Sequence, residues 1–169
     1  MPLTIHQVSV PVFERSLKAL SNCIDKAAAH ADAHKIDPAA LIGFRFYPDM
    51  FPFSRQIQQA TVHAAGAPAR LAGIDLPKFE DADKSFPELK ARIGKALDFI
   101  AAIDPAKMEG SENRELKLMA GGRERVFKTG YDYLFTHAMP NFFFHATTAY
   151  DMLRHNGIEL GKRDFLNNE

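Results

Sequence analysis

Four separate stretches of the chain repeat residues at alternating intervals of four and three, and few folds can satisfy that pattern. The first carries Phe13, Leu17, Leu20, Ile24, Ala27 and Ala31. The second carries Phe53, Ile57, Ala60, Ala64 and Leu71, and the third Phe86, Leu89, Ile93, Leu97 and Ile100. In the last, Leu134, Ala138, Asn141, His145, Thr148 and Met152 keep the same spacing. Such spacing lines one stripe of an α-helix. It predicts helices over residues 4–33, 51–71, 85–103 and 131–156. Each must bury its stripe against the others, so the chain reads as all-α, a four-helix bundle.

The punctuation agrees. Ser85 is placed as an N-cap, Pro87 fits the first turn, and Glu88 stands three residues on as in a capping box. Gly73 and Gly157 are natural helix stops. Pro11 is expected to bend the first helix, and Gly66 and Pro68 to weaken the end of the second. Pro140 is expected to kink the fourth and leave the Thr136 carbonyl short of a partner. The segment HKIDPAALIGFRFYPDM reads as a structured connection anchored by Phe44, Phe46 and Tyr47, and GIDLPKFEDADKS as an acidic, solvated loop. Alternating residues around Gly121-Gly122 predict a small β-hairpin, inserted in the long crossover before helix four.

Composition bounds the rest. A chain of 169 residues, 46% hydrophobic and 25% charged, suits one globular domain spanning 1–169. Its 21 basic and 21 acidic side chains cancel, and no basic run marks a nucleic-acid footprint. No apolar run approaches the ~18 residues of a membrane span, and the N-terminus lacks the charge and hydropathy pattern of a signal peptide. The lone cysteine, Cys23, excludes an intrachain disulfide and fits a reducing cytoplasm, where it reads as a buried thiol.

Chemistry concentrates on two helices. Asn141 and His145 share the register of Leu134 and Met152, so both are expected to point inward, with His137 one turn back. Helix two offers Gln56, Gln59 and His63, the last two one turn apart on one face. If these helices face each other, Gln59, His63, Asn141 and His145 line a polar pocket between them, and bundles commonly build ligand and metal sites there. Imidazole nitrogens suit zinc, nickel or iron, which makes His63 and His145 the candidate metal ligands. There is no close-spaced His, Cys and carboxylate signature of a zinc site and no nucleophile elbow or phosphate loop. Phe142, Phe143 and Phe144 read as packing residues.

The segments FYPDMFPFSRQIQ (46–58), ARLAG (69–73) and PNFFFHATTAYDMLRHNGIELGKRDFL (140–166) carry a resemblance over nearly the whole chain. It resembles the DinB/YfiT-like superfamily of four-helix bundles, in particular an uncharacterised bacterial branch. Many members look like metal-dependent enzymes with one histidine from helix two and an H-x-x-x-H pair on helix four, and some act in bacillithiol or mycothiol chemistry. The resemblance puts His145 on the second histidine of that pair and Asn141 on the first. The helix-two position falls within RQIQQ, about a turn from His63. The resemblance therefore implies the fold and a degenerate metal triad. Three uses of the site stand open: a small-molecule site with His145 as hydrogen-bond donor or general base, a metal-dependent thiol transferase or hydrolase, or a non-enzymatic interaction module. A homodimer is expected. Phe165 and Leu166 in the tail are placed to dock on the bundle or across that dimer.

Overall fold

A computed structural model describes residues 3–168. The bundle is built from α1 (Val10–His34), α3 (Phe53–Ala72), α4 (Phe86–Ala101) and a last long helix. That helix runs as α5 (Gly130–Tyr133), one π turn (Leu134–Ala138) and α6 (Met139–His155). Short helices α2 (Pro38–Ile42) and α7 (Lys162–Leu166) complete the set. Helix α3 packs against α6 on one side and α4 on the other, while α1 closes the ring between α4 and α6. The predicted stripes of α1 and α3 are wholly buried, and the rings of Phe13 and Phe142 meet edge-on at 5.1 Å in the middle.

The helix ends follow local chemistry. Ser85 Oγ accepts from the Glu88 N–H while the Glu88 carboxylate accepts from Ser85 N–H, closing the capping box. Gly73 and Gly157 end α3 and α6 with positive φ of 66° and 86°. Helix α1 starts later than residue 4. Residues ahead of it form tight turns in which Ser9 Oγ donates to the Ile5 carbonyl at 2.6 Å. Pro11 thereby falls in the first turn, where its missing N–H costs nothing, and it does not bend the helix. Helix α3 runs unbroken through Gly66 and Pro68.

Pro140 is taken up differently from expectation. The Met139 N–H reaches the carbonyl of Leu134, five residues back instead of four. This single π turn sits just before the proline and adds one residue to the helix. The register beyond it therefore moves on by one, and Phe142, not Asn141, occupies the core.

Between α4 and α5 lie two 3-10 turns and the hairpin, β1 (Leu116–Ala120) with β2 (Arg123–Phe127). Leu116 pairs with Phe127 and Leu118 with Arg125. Gly121 and Gly122 both hold positive φ, as a two-residue hairpin turn demands. The chain re-enters the bundle at Gly130, where a Cβ would stand 2.2 Å from the Ser111 carbonyl oxygen. Gly130→Ala is expected to cost about 2 kcal/mol by forcing these two backbones apart, as overpacking does. Urea unfolding of the variant checks it, and an unchanged midpoint would contradict so close a contact.

The tail docks on its own bundle. Phe165 meets Tyr150 edge-on at 5.3 Å, Arg15 Nε donates to the Leu166 carbonyl at 2.8 Å, and Lys26 pairs with Asp164 at 2.6 Å.

The loop 74–84 is largely exposed, as its composition suggests, but a buried cation ties it to the bundle. Arg92 of α4, 3% exposed at its side chain, pairs with Asp81 at 3.0 Å and Asp83 at 3.1 Å. Its Nε donates to Thr61 Oγ1 at 2.7 Å and its Nη1 to the Glu80 carbonyl at 2.8 Å. The guanidinium also lies 4.8 Å from the centre of the Phe79 ring.

Candidate functional site

The facing surfaces of α3 and α6 bring polar groups together. His145, 8% exposed, places Nδ1 at 2.7 Å from Gln56 Oε1. The Gln56 amide nitrogen donates to the Phe51 carbonyl at 3.2 Å. That second bond fixes the amide, so its oxygen must face the ring and Nδ1 must carry the proton. The other nitrogen, Nε2, is left as a lone-pair acceptor. Among the described residues no sealed side-chain nitrogen or oxygen lacks a partner, and Nε2 makes no hydrogen bond to them. It therefore reaches solvent. The donor role expected for His145 is thus already used by Gln56.

Two further imidazoles lie beside it. His63 is near-parallel to His145, with ring centres 5.7 Å apart, and stands across from His137 at 6.0 Å. His137 in turn touches Phe127 of the hairpin at 5.4 Å and Tyr133 at 5.9 Å. The exposed rings of Phe51 and Phe144 flank His145 at 6.4 and 5.2 Å. Arg55 packs over Phe51 and is paired with Asp81.

The electrostatics keep these rings neutral. Burial pushes His145 down to about 4, helped by the Arg55 charge. Burial does the same to His63, also to about 4, with the neighbouring imidazoles and Arg70 assisting. His137 is lowered by burial first and by Arg125 and Arg70 next. Tyr133 is raised by burial and stays protonated, accepting from Arg70 Nη1 at 3.4 Å.

Of the residues expected to line the site, His63 and His145 come together. Asn141 is half-buried and turns back on its own helix, donating to the His137 carbonyl at 2.7 Å and standing 3.4 Å from His137 Nδ1. Gln59 is half-buried and makes no side-chain hydrogen bond among the described residues. The glutamine that grips His145 is Gln56, two turns before His63 on the same face, a spacing visible in the sequence. Phe144, expected to pack, is instead exposed beside His145, and Phe51, Arg55, Arg70 and Arg125 join the site without having been singled out. Cys23 is buried, and burial pushes its thiol up to about 12, which makes it inert.

The metal centre implied by the resemblance does not fit these donors. Among the described residues no group of three or more His, Cys, Asp or Glu side chains is arranged to hold a metal ion. Asn141, on the position of the first paired histidine, spends its amide on the helix backbone.

A separate cleft of about 550 Å³ opens between α1 and the turn after α6, lined by Lys26, His30, His34, Gly157 and Glu159. Its two imidazoles stack on each other at 4.1 Å, and His34 Nδ1 is tied to the His30 carbonyl. It offers less open chemistry than the α3–α6 cluster. No helix is long and apolar enough to cross a membrane among the described residues.

Comparison with known proteins places the chain. No curated protein matches it. Residues 5–166 match the model of DUF1993, a domain of unknown function. A solved structure described as a DinB family member protein from Shewanella denitrificans superposes with a TM-score of 0.86 at 35% identity. The match covers 96% of this chain and 91% of that one. On the family match and this likeness, the chain belongs to the DUF1993 family, within the DinB-like superfamily of helix bundles.

Proposed function

We propose that the protein binds a small molecule against the α3–α6 imidazole cluster, with Nε2 of His145 accepting a hydrogen bond from the ligand. One observation carries this reading. Gln56 holds the Nδ1 proton of His145 at 2.7 Å, and the Phe51 carbonyl orients Gln56 in turn. A chain of two oriented partners fixes one tautomer and leaves one acceptor with no partner among the described residues. Gln56 is itself buried, so its amide nitrogen needs the Phe51 carbonyl in any case, and the same bond fixes the imidazole tautomer. The exposed rings of Phe51 and Phe144 supply an apolar frame for a flat ligand. No step is assigned to a metal, because the donors do not converge on one.

Phenol is a suitable probe, since it offers one O–H donor on an aromatic ring. Long-range proton–nitrogen NMR of the histidine rings at pH 7.5 should show His145 Nε2 unprotonated and shifting saturably as phenol is added. His145→Phe keeps an aromatic ring of similar shape. It is expected to melt cooperatively and to bind phenol at least about tenfold more weakly, read on His63, as loss of one good acceptor implies. An unmoved His145 ring, or undiminished binding by the Phe variant, would overturn the reading.

A further inference from the structure

We propose that the ligand's recognised group is an oxyanion, a carboxylate or phosphate, held between Arg70 of α3 and Arg125 of the β-hairpin beside the three imidazoles. This rests on the reading of the cluster as a ligand site and names the chemistry that site accepts.

Arg70 is half-buried and forms no ion pair among the described residues. Its guanidinium folds back over Gly66, where a Cβ would lie 2.6 Å from Nη1. Glycine at that position is what lets the cation lie along the helix toward Tyr133. Of its five N–H donors, one is engaged, in the long 3.4 Å bond to the Tyr133 hydroxyl. The rest are open to a partner.

Arg125 arrives from another element. Alternate residues of a strand share a face, so Arg125 lies on the same side of β2 as Phe127. Phe127 is buried and packs against both Tyr133 and His137 at 5.4 Å. The strand partners Leu116 and Leu118 are likewise turned toward the core. Arg125 is exposed, on the side of the hairpin that Phe127 turns to the bundle, and its charge is felt at His137. It too forms no ion pair or side-chain hydrogen bond among the described residues. The nearest acid in sequence on α5, Asp132, is spent on capping, accepting from Lys128 N–H at 3.2 Å.

Two guanidiniums from separate elements thus lend positive charge to His137, and neither is paired with a carboxylate among the described residues. By contrast, Arg55 and Arg92 each have aspartate partners. Planar guanidinium forks match carboxylate and phosphate oxygens, and a second fork from a separate element closes the grip. An N–H of His63 or His137 can complete the grip as a donor, while Nε2 of His145 takes a separate O–H or N–H of the same ligand. The hairpin, otherwise an appendage, gains a reason to lie where it does.

The test follows the His63 and His137 rings by NMR while inorganic phosphate or sodium acetate is added at constant ionic strength, with sodium chloride as the reference. Saturable shifts are expected for at least one of the two anions, and the one that binds tells phosphate from carboxylate recognition. Arg70→Gln and Arg125→Gln should each weaken that binding about tenfold, and Lys117→Gln, on the opposite hairpin face, should not. Arg70→Lys keeps the charge and loses the fork, so an intermediate affinity is expected. Thermal melts confirm that each variant is folded. Shifts no larger than with chloride, or binding indifferent to both arginines, would overturn the proposal. Phenol binding without any phosphate or acetate response removes the oxyanion alone, whereas silence to all three probes removes the ligand site itself.

Discussion

Replacing Arg92 with alanine is expected to lower the melting temperature by about 10 °C, the equivalent of roughly 3–4 kcal/mol for a chain of this size. The side chain is 3% exposed and its guanidinium satisfies two aspartates, a hydroxyl and a main-chain carbonyl at once. Truncation leaves Asp83, itself 13% exposed at its side chain, without its cation, strands the Glu80 carbonyl, and leaves Thr61 only its bond to the Gln58 carbonyl. An unpaired buried charge is far more costly than the intact pair is favourable. Arg92→Lys should recover less than half of the loss, because one ammonium cannot span donors that the guanidinium spreads over three nitrogens. Urea midpoints of both variants decide the matter. A loss under 1 kcal/mol for the alanine variant would mean the network is solvated and nearly neutral. Amide exchange should also quicken across residues 74–84, since Arg92 is the main polar tie holding that loop to the bundle. The effect reaches the site, because Asp81 on the loop partners Arg55, which packs on Phe51 beside His145.

This network also marks where reading the chain by apolar spacing falls short. Arg92 sits beside Ile93 on the buried stripe of α4, three residues after Leu89. Periodicity registers apolar positions and passes over a cation among them. The signal was present nonetheless: a charge on a core stripe requires acids nearby, and the acidic loop ahead of α4 supplies them. The elements whose causes are local were legible: the Ser85–Glu88 box, the Gly121-Gly122 turn, the Gly157 stop and the buried faces of α1 and α3. Asn141 was misplaced for a different reason. Counting by fours and threes from Leu134 lands on residue 141 only if every turn is α-helical. The π turn before Pro140 adds a residue and carries the core position to Phe142. The proline pointed to a disturbance there, but its form depends on how α3 packs against the helix. His145 was recognisable as an inward histidine. Its Gln56 partner was ambiguous because Gln56 and Gln59 both share a face with His63, and the choice is made by the angle at which the helices meet. Arg70 and Arg125 belong to separate elements, and no local pattern links them.

Acidification offers the second large effect. The His145 ring titrates near 6.5 when unfolded and near 4 in the fold. The unfolded chain therefore binds the proton more readily, and stability must rise with pH through that interval. Its contribution is complete above about pH 7 and is lost as pH falls from 6.5 toward 4. For this ring alone the loss between pH 7 and pH 4.5 comes to about 2 kcal/mol. His63 adds a loss of the same sign over the same window, though less than a full second share, because part of its displacement comes from the His145 charge itself. Carboxylates act mostly lower: Asp81, Asp164 and Glu88 are held below their ordinary values, so their loss sets in from about pH 5 downward. Unfolding free energies measured from urea curves at pH 7.5, 6.5, 5.5 and 4.5 should thus decline before the carboxylates titrate. His145→Gln keeps an amide opposite Gln56 and removes the titrating group, so its curve should be flatter in that window. A wild-type profile flat down to pH 4.5, or an equally steep one in the glutamine variant, would mean that the ring is solvated enough to charge within the fold. That outcome would also weaken the proposed ligand site below about pH 6, where a ring able to take a proton would present a donor at Nε2 in place of the acceptor.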